Sequence, residues 1–504
     1  MNILKNVFSF GFATFLSRIL GFIRDNLIAV YLGAGIASDA LFVAFRFPNT
    51  FRQLFAEGVF NSAFIPSYAK ESKAKRNLFA NQILSLKIIF IIIVIVIVEI
   101  FARQFLYLIA PGFQKIPEKF ELAVNLYRIS FPFLFFISIA SVFSAILNFN
   151  EKFFVTAAAP IIFNGLLIVS LLLFHSSQIE LVYASCITLV LVGFVQAIYL
   201  FLFLKQYFKL KLLFRVRINN KIRIFFKKFF PSVFASGINQ LNILVGTIIA
   251  SFQTSAVSYL YYADRIYQLP LALSGIAIGT VVLPRLSKEI LTAKFSRINS
   301  IQNRSLELCL FLTLPAFIGI VVGYNEIIKS IFGFGSFNSE TIVNTSNALF
   351  LFGIGLPAFA LTKVYASFYF ARHNTKLPFY ISVFSVSINI IVSLIFFKKV
   401  GFLIIPFATS FAAWCTVIIY QVNLYLDKYH FFDKLFFIKI LKTIFCTIIM
   451  GLVFVLLIKI FGEYLLLNSL VKPLTLISMV LFSSLIYFLC AFFIKAFSIS
   501  DLKF

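Results

Sequence analysis

Apart from Lys5 near the start of the chain, seven charged side chains lie in the first two hydrophobic segments, where lipid would be expected to surround them. They are Arg18, Arg24, Asp25, Asp39, Arg46, Arg52 and Glu57. A charge at the centre of a bilayer costs about 2.5 to 3.5 kcal/mol on insertion scales, so such residues normally face a protein interior or a water-filled cavity. Because the planar donors of a guanidinium match phosphate and carboxylate oxygens, these arginines, with Arg265 in a later segment, predict an anion-binding cavity.

The stretch SRILGFIRDNLIAVYLG, residues 17–33, carries the densest part of this pattern. On a helix, Ser17, Gly21 and Arg24 lie within about 40° of one another, and Gly21 leaves room for a ligand or another helix to approach. The alternative is structural, with the arginines paired to Asp25, Asp39 and Glu57 inside the bundle or with Arg24 reaching the membrane interface. The residues alone are compatible with both interpretations.

The elements that must position these residues are membrane-spanning helices. Of 504 residues, 61% are hydrophobic and 12% are charged, which excludes a soluble globular protein. Hydrophobic runs of about 20 residues predict an all-α integral membrane protein with about fourteen transmembrane helices. The segments are 3–30, 38–64, 83–103, 121–149, 155–174, 180–204, 229–252, 257–283, 305–323, 342–371, 378–397, 401–426, 436–460 and 472–496. Pro48 is one of several prolines predicted to kink these helices.

The distribution of positive charge predicts the orientation of the chain. With both termini inside, cytoplasmic loops and tails hold about 26 Lys and Arg residues against about 9 on the other side, which agrees with the positive-inside rule. The net charge of +26 therefore does not indicate nucleic-acid binding, since no basic module is present. The most basic loop, residues 205–228, is compatible with an amphipathic interfacial helix or with an ordinary positive-inside loop.

Two sequence matches indicate an internal duplication. AFIPSYAKE at residues 63–71 resembles VVLPRLSKE at 281–289, and Pro160 corresponds to Pro378 at the same spacing of 218 residues. We predict two six-helix lobes, residues 1–220 and 221–430, related by an axis along the membrane normal. Residues 431–504 form a separate pair of helices.

Enzyme motifs are absent from the sequence. It has no G-x-x-x-x-G-K-[ST] phosphate loop and no H-E-x-x-H, and its three histidines lie in predicted loops without metal-ligand spacing. We therefore predict that the protein is not an enzyme and needs no cofactor.

A family resemblance rests on two blocks of sequence. Residues 17–70, SRILGFIRDNLIAVYLGAGIASDALFVAFRFPNTFRQLFAEGVFNSAFIPSYAK, resemble the hallmark region of the MurJ (MviN) lipid II flippases, which belong to the multidrug/oligosaccharidyl-lipid/polysaccharide exporter superfamily. Residues 261–288, YYADRIYQLPLALSGIAIGTVVLPRLSK, resemble a second block of that family.

The resemblance implies a two-lobed transporter in the bacterial inner membrane that moves lipid II to the periplasmic leaflet by alternating access. It implies that the last two helices form a groove for the polyprenyl tail. It also implies a cationic cavity lined by arginines. The predicted substrate-binding set is Ser17, Arg18, Arg24, Asp25, Asp39, Arg52, Asn164 and Arg265, with Gly21, Pro48, Glu57 and Asp264 as gating or structural residues.

The resemblance also carries a departure at a metal site. Some family members bind sodium with two aspartates, an asparagine and a threonine in the second lobe. Here Asn389 and Thr409 persist, but Ser393 stands at one aspartate position and no acidic residue lies between Lys228 and Asp264. We predict no confident metal site and a loss of sodium coupling there, because carboxylates are the strongest oxygen ligands of hard cations.

The predicted partners are lipid II and the membrane, with the cell-wall synthesis machinery as a further candidate and a monomer as the expected state. The alternative function is export of another lipid-linked oligosaccharide or of drugs by a related exporter. From a different class, a membrane scaffold would not require arginines in a cavity.

Overall fold

A computed structural model describes residues 3–55, 58–213, 219–292, 295–465 and 471–497. The chain divides into two compact units, Met1–Ser258 and Tyr259–Phe504. The lobe boundaries predicted at residues 220 and 430 stay predictions, and each unit is described by itself.

The all-α prediction is confirmed, since every regular element within the described ranges is a helix. The first unit contains α1 (Ile3–Leu32), α2 (Ile36–Phe55), α3 (Gly58–Ala69), α4 (Lys73–Ile100), α5 (Ala102–Ile109), α6 (Pro117–Ser130), α7 (Phe133–Phe149), α8 (Phe153–Leu173), α9 (Gln178–Leu204), α10 (Asn220–Ala250) and the start of α11 (Ala256–Leu271). The second unit continues with α12 (Ala277–Thr292), α13 (Phe295–Ile331), α14 (Ser339–Ala371), α15 (Lys376–Val400), α16 (Ile404–Leu426), α17 (Lys434–Phe461) and α18 (Val471–Phe493).

Ten helical stretches among the described residues are long and apolar enough to cross a membrane. The predicted number of about fourteen is therefore not confirmed. One stretch, Lys376–Leu426, contains both α15 and α16, which the sequence analysis counted separately. The charge-bearing helices α1 and α2 are not among the ten.

The two predicted segments that carry Asp39 and Arg265 are both subdivided in the structure. The segment 38–64 is split between α2 and α3, and the intervening residues 56 and 57 lie outside the described part of the chain. Pro48 is buried inside α2 without ending it. The segment 257–283 passes from α11 to α12 through a π-helical turn at Ala272–Ile276, just after Pro270. Proline has no amide hydrogen to donate to the preceding turn, which favours such a local change in helix geometry.

The first unit holds the linker after α9 with two asparagines of α4. Asn77 Nδ2 and Asn81 Nδ2 donate to the carbonyl of Lys209 at 3.1 and 2.9 Å, while the amides of Lys209 and Lys211 donate back to their Oδ1 atoms at 3.0 and 2.8 Å. Four residues of helix rise about 6 Å and two residues of extended chain span about 6.6 Å, so the two repeats match. We call this arrangement the first clamp. Residues 208–213 are not helical, so the interfacial-helix alternative does not apply to them, whereas residues 220–228 belong to α10.

The second unit repeats this arrangement on α13. Asn299 and Asn303 donate to the carbonyl of Phe431 at 2.9 and 3.1 Å, and the amide of Phe431 donates to Asn299 Oδ1 at 2.8 Å. Asn303 Oδ1 faces Nε2 of His430 at 2.8 Å instead of a backbone amide. We call this arrangement the second clamp. Its asparagines follow those of the first by 222 residues, which adds a third match to the predicted duplication.

Candidate binding site in the first unit

Arg24 is held between α1 and α8 by a set of polar contacts. Its Nη2 and Nε donate to Asp25 Oδ1 at 2.7 and 3.1 Å, and its Nη1 donates to Asn164 Oδ1 at 2.8 Å. The side chains of Arg24 and Asp25 are only 15% and 6% exposed. A guanidinium fixed in this way presents a charge in a defined direction, since its planar donors cannot rotate independently.

Asn164, in α8, links Arg24 to the backbone of α1, the helix that carries Arg24. Its Nδ2 donates to the Ser17 carbonyl at 2.9 Å and reaches Ser17 Oγ at 3.4 Å, so its amide oxygen is left for Arg24. A Cβ atom at Gly21 would lie 3.5 Å from Asn164 Nδ2. That is an ordinary contact, so Gly21 allows α1 and α8 to approach but is not sterically obligatory.

The other predicted arginines differ in their surroundings. Arg18 is exposed and has no hydrogen bond or ion pair with residues that the structure describes. Arg52 donates through Nε and Nη2 to Asn49 Oδ1 at 3.0 and 2.6 Å. Arg265 belongs to the second unit, where its Nη2 donates to the Tyr261 hydroxyl at 3.0 Å and its Cζ lies 4.5 Å from the centre of that ring. The structure thus joins Ser17, Arg24, Asp25 and Asn164, and a cavity shared by all four arginines stays a prediction.

Asp39 forms a second buried polar group near the start of α2. It is fully buried, and its carboxylate accepts Lys119 Nζ at 2.5 Å, the amides of Ser255 and Ser258 at 3.0 and 2.9 Å, and the Ser258 hydroxyl at 2.6 Å. A carboxylate at the first turn of α11 is favoured by the unpaired amides and the positive end of the helix dipole. Four donors occupy its oxygens, which suits a structural role better than direct contact with an anion.

Sequence reasoning missed three partners of Asp39. Lys119 lies in PEKFE, between two glutamates of a predicted external loop, and Ser255 and Ser258 have no distinguishing pattern. Lys119 could have been selected only as a basic residue able to compensate the charge of Asp39 in an apolar segment.

Two of the predicted gating residues, Glu57 and Asp264, are not part of the Arg24 group. Glu57 lies outside the described residues. Asp264 Oδ2 accepts a hydrogen bond from Gln268 Nε2 one turn later in α11. The gating roles of these residues stay predictions.

The sodium site implied by the resemblance can be tested on the side chains at its position. Asn389 Nδ2 donates to Thr409 Oγ1 at 3.3 Å, and Ser393 Oγ donates to Asn389 Oδ1 at 3.3 Å. These groups are neutral, and the described parts of the chain contain no cluster of three or more His, Cys, Asp or Glu side chains that could hold a metal. The residues do not fit a strong sodium site, so no step is derived through sodium.

Comparisons with known proteins give a consistent result. The family model described as "Lipid II flippase MurJ" matches residues 28–476. A relative from Rickettsia prowazekii (strain Madrid E), described as "Probable lipid II flippase MurJ", is 34% identical over 474 residues, which cover 92% of each chain. One from Rhizobium meliloti (strain 1021) with the same description is 35% identical and covers 83% of this chain and 80% of its own.

Solved structures agree with these relatives. "Lipid II flippase MurJ, inward closed conformation" superposes with a TM-score of 0.80 at 28% identity, covering 96% of this chain and 98% of that one. An inward-facing multidrug resistance MATE family transporter of the MOP superfamily gives a TM-score of 0.65 at 14% identity over 82% of this chain and 95% of its own. At that identity, the second likeness concerns the fold alone.

Proposed function

The chain belongs to the lipid II flippase MurJ family, and from this premise we propose that it moves lipid II from the cytoplasmic to the periplasmic leaflet of a bacterial inner membrane. In lipid II a diphosphate links the peptidoglycan precursor to a long polyprenyl tail. The diphosphate cannot cross hydrocarbon without compensating charge, whereas the tail can remain in lipid. A protein that carries it needs a buried, anion-binding surface.

The observation that carries this proposal is the fixed Arg24 guanidinium between α1 and α8. Asn164 and Asp25 orient it, so little side-chain entropy is lost when an anion binds. We assign Arg24 to the diphosphate, with Ser17 and Asn164 as its neighbouring polar groups. Arg18, Arg52 and Arg265 complete the proposed binding set.

Asp25 determines how firmly Arg24 holds its substrate. In the structure it takes two donors of the guanidinium, and we propose that a diphosphate oxygen competes with it for them. A carboxylate in this position weakens binding and favours release, which transport requires as much as capture. Alternating access by rocking of the two lobes is the proposed cycle, and the saturated Asp39 group is the proposed fixed point at the first turn of α11.

The remaining assignments follow from the family. We propose that both termini are cytoplasmic and that α17 and α18 contact the polyprenyl tail, since their surfaces include strongly exposed residues such as Leu441, Ile460 and Phe493. Export of another oligosaccharide or of drugs is disfavoured, because the named relatives cover most of the chain and the MATE likeness concerns only the fold. The family is one of transporters, and an enzymatic activity is not proposed.

A direct test replaces Arg24 and follows lipid II between leaflets. We expect Arg24→Ala to slow flipping in proteoliposomes about ten- to a hundredfold, because loss of a charge-assisted contact to phosphate costs about 1.5 to 3 kcal/mol. Arg24→Lys should restore only part of the rate, since lysine keeps the charge but loses the planar fork.

The matched control is Arg103→Ala in the same unit. Arg103 is 60% exposed and pairs with Glu121 at the surface, so its loss should leave the flipping rate near that of the wild type. Full activity of a folded Arg24→Ala protein would show that the substrate is held elsewhere.

A further inference from the structure

A cleft in the second unit is lined mainly by cationic and hydroxyl side chains. It lies between the end of α12 and the start of α13 and has a volume of about 390 Å³. Its lining residues are Arg285, Ser296, Arg297, Ser300, Ile301 and Arg304. The volume falls within the range of small-molecule sites, about 300 to 1,000 Å³, and none of these residues belongs to the binding set proposed for lipid II.

The helices converge on the cleft in a regular way. Arg297, Ser300 and Arg304 follow one another at i, i+3 and i+7 in α13, which places them on one face of that helix. Arg285 reaches the cleft from α12. Two helices therefore bring three guanidiniums to one opening, and three of the chain's 15 arginines are found there.

The positive charge of this cleft is only partly compensated. Arg297 donates to Glu289 at 2.9 Å, in an ion pair whose glutamate side chain is 16% exposed. Arg304 is half-buried and has no hydrogen bond or ion pair to any residue within the described ranges. A guanidinium carries five donors in a fixed geometry, so Arg304 presents unused donors to the cleft.

The corresponding place in the first unit shows that the fold does not require these arginines. By the spacing of the two clamps, Ser300 and Arg304 correspond to Leu78 and Gln82. By the spacing of 218 residues, Arg285 corresponds to Ser67. The glutamate is kept as Glu71, which instead accepts Lys221 at 2.5 Å. By the clamp spacing Arg297 corresponds to the basic Lys75, so the scaffold and one of the three charges recur in the first unit, while the charges of Arg285 and Arg304 do not.

We propose that this cleft binds a phosphate group, with Arg304 as its main donor, Arg285 and Arg297 as further positive charges at the opening, and Ser296 and Ser300 as neutral donors. Guanidinium groups bind phosphate oxygens through paired hydrogen bonds. Serine hydroxyls add donors without adding a positive charge that would repel the arginines. The surrounding loop is predicted to be cytoplasmic, where a soluble diphosphate or the headgroup of an anionic phospholipid can reach it. The site is independent of the Arg24 site and of the flipping reaction.

The test measures protection of individual arginines from phenylglyoxal, mapped by mass spectrometry on the full-length protein. In neutral-detergent solution, saturating pyrophosphate should slow modification of Arg285, Arg297 and Arg304 about tenfold, because a bound oxyanion occupies their donors. The exposed Arg223 should react at an unchanged rate. A parallel arm compares nanodiscs of phosphatidylcholine alone with nanodiscs that contain phosphatidylglycerol.

Arg304→Gln is the decisive variant, since Arg304 has no described partner whose loss would unfold the protein. Protection of Arg285 and Arg297 should fall severalfold in this variant and persist in the matched control Arg223→Gln. Protection by pyrophosphate assigns a soluble phosphate, and protection only in phosphatidylglycerol nanodiscs assigns a lipid headgroup. Absence of protection in both arms, or equal protection in Arg304→Gln and the wild type, overturns the proposal.

Discussion

The first and second clamps hold equivalent linkers in different chemical surroundings. Asn77 and Asn299 make equivalent hydrogen bonds. Each accepts one from the backbone amide of a single linker residue, Lys209 or Phe431, and donates one to the carbonyl of that residue. Four residues later the clamps diverge, because Asn81 accepts a further backbone amide whereas Asn303 faces the imidazole of His430. The ion pairs of the two units diverge as well, with Lys119–Asp39 almost wholly buried and Lys439–Glu307 17% and 11% exposed.

The contacts shared by both units differ in kind from the contacts found in only one of them. Contacts that occur in both units satisfy the backbone of a linker, a need that any such half must meet. Contacts found in only one unit, such as the saturated Asp39 group, the His430 contact and the arginine cleft, are not demanded by the shared scaffold. They are the places to look for function or regulation.

The ion pairs give the largest expected effect. Lys119→Met should destabilise the first unit by about 3 to 5 kcal/mol, because it leaves the charge of Asp39 buried without a counter-ion. Lys439→Met should cost less, since the Glu307 side chain keeps 11% of its surface exposed whereas that of Asp39 is fully enclosed. Thermal unfolding in detergent, followed by size-exclusion chromatography, compares the two proteins.

The double variant Lys119→Met/Asp39→Asn serves as the control. It should recover part of the loss, since no buried charge is left without its partner. Equal losses for the two single variants would contradict the contrast between the units.

The clamps give an intermediate effect. Asn77→Ala and Asn299→Ala each remove an acceptor from one linker amide, which costs about 1 to 3 kcal/mol when the amide is shielded from water. The bond to Lys209 is exposed and the bond to Phe431 is partly buried, so exchange of the Phe431 amide should accelerate more. Hydrogen–deuterium exchange resolved by mass spectrometry provides the measurement, and Asn219→Ala, which removes the capping acceptor of α10, should affect neither linker.

The pH response gives the smallest effect and concerns the second clamp alone. Burial, followed by the nearby Arg372 guanidinium, lowers the pKa of His430 from 6.5 to about 4, although Asp433 acts in the opposite direction. Between pH 6.5 and about pH 4, the imidazole of His430 is protonated in the unfolded chain but stays neutral in the folded unit. The stabilisation is therefore complete above pH 6.5 and is lost as the pH falls toward 4, by about 1 kcal/mol between about pH 7 and about pH 5.5.

The variant His430→Gln isolates this response. It removes the titrating ring and should give a second clamp whose stability changes little over that pH interval. Exchange of the Phe431 amide, corrected for the intrinsic effect of pH, measures it, and the first clamp is the internal reference. An unaltered pH slope in His430→Gln would assign the response to another group.

Hydropathy was sufficient to predict the all-α fold, since apolar runs report directly on burial in lipid or protein. It did not predict the break between α2 and α3 or the π-helical turn between α11 and α12, because local backbone geometry leaves little trace in composition. Arg24, Asp25 and Ser17 were found because charges in an apolar run are conspicuous. The contact of Arg24 with Asn164 spans 140 residues, and no local pattern specifies such a distance.

The clamps could not be predicted from the sequence because their contacts involve the backbone. Asparagines near the ends of helices are common, and their partner here is the backbone, which has no residue signature. His430 was set aside as a loop histidine because it lacks metal-ligand spacing, yet it is fully buried and held by Asn303. Three-dimensional placement, not residue type, distinguishes these side chains.

The sequence separation of the clamps has a consequence for biogenesis. In each clamp the first asparagine lies 132 residues before the linker residue that it binds. At a synthesis rate of about 5 to 20 residues per second, the asparagine must wait roughly 7 to 26 s for its partner to leave the ribosome. The first clamp then closes only after α9 has been made and the second only after α16, so each clamp secures its linker once the helix before that linker is complete.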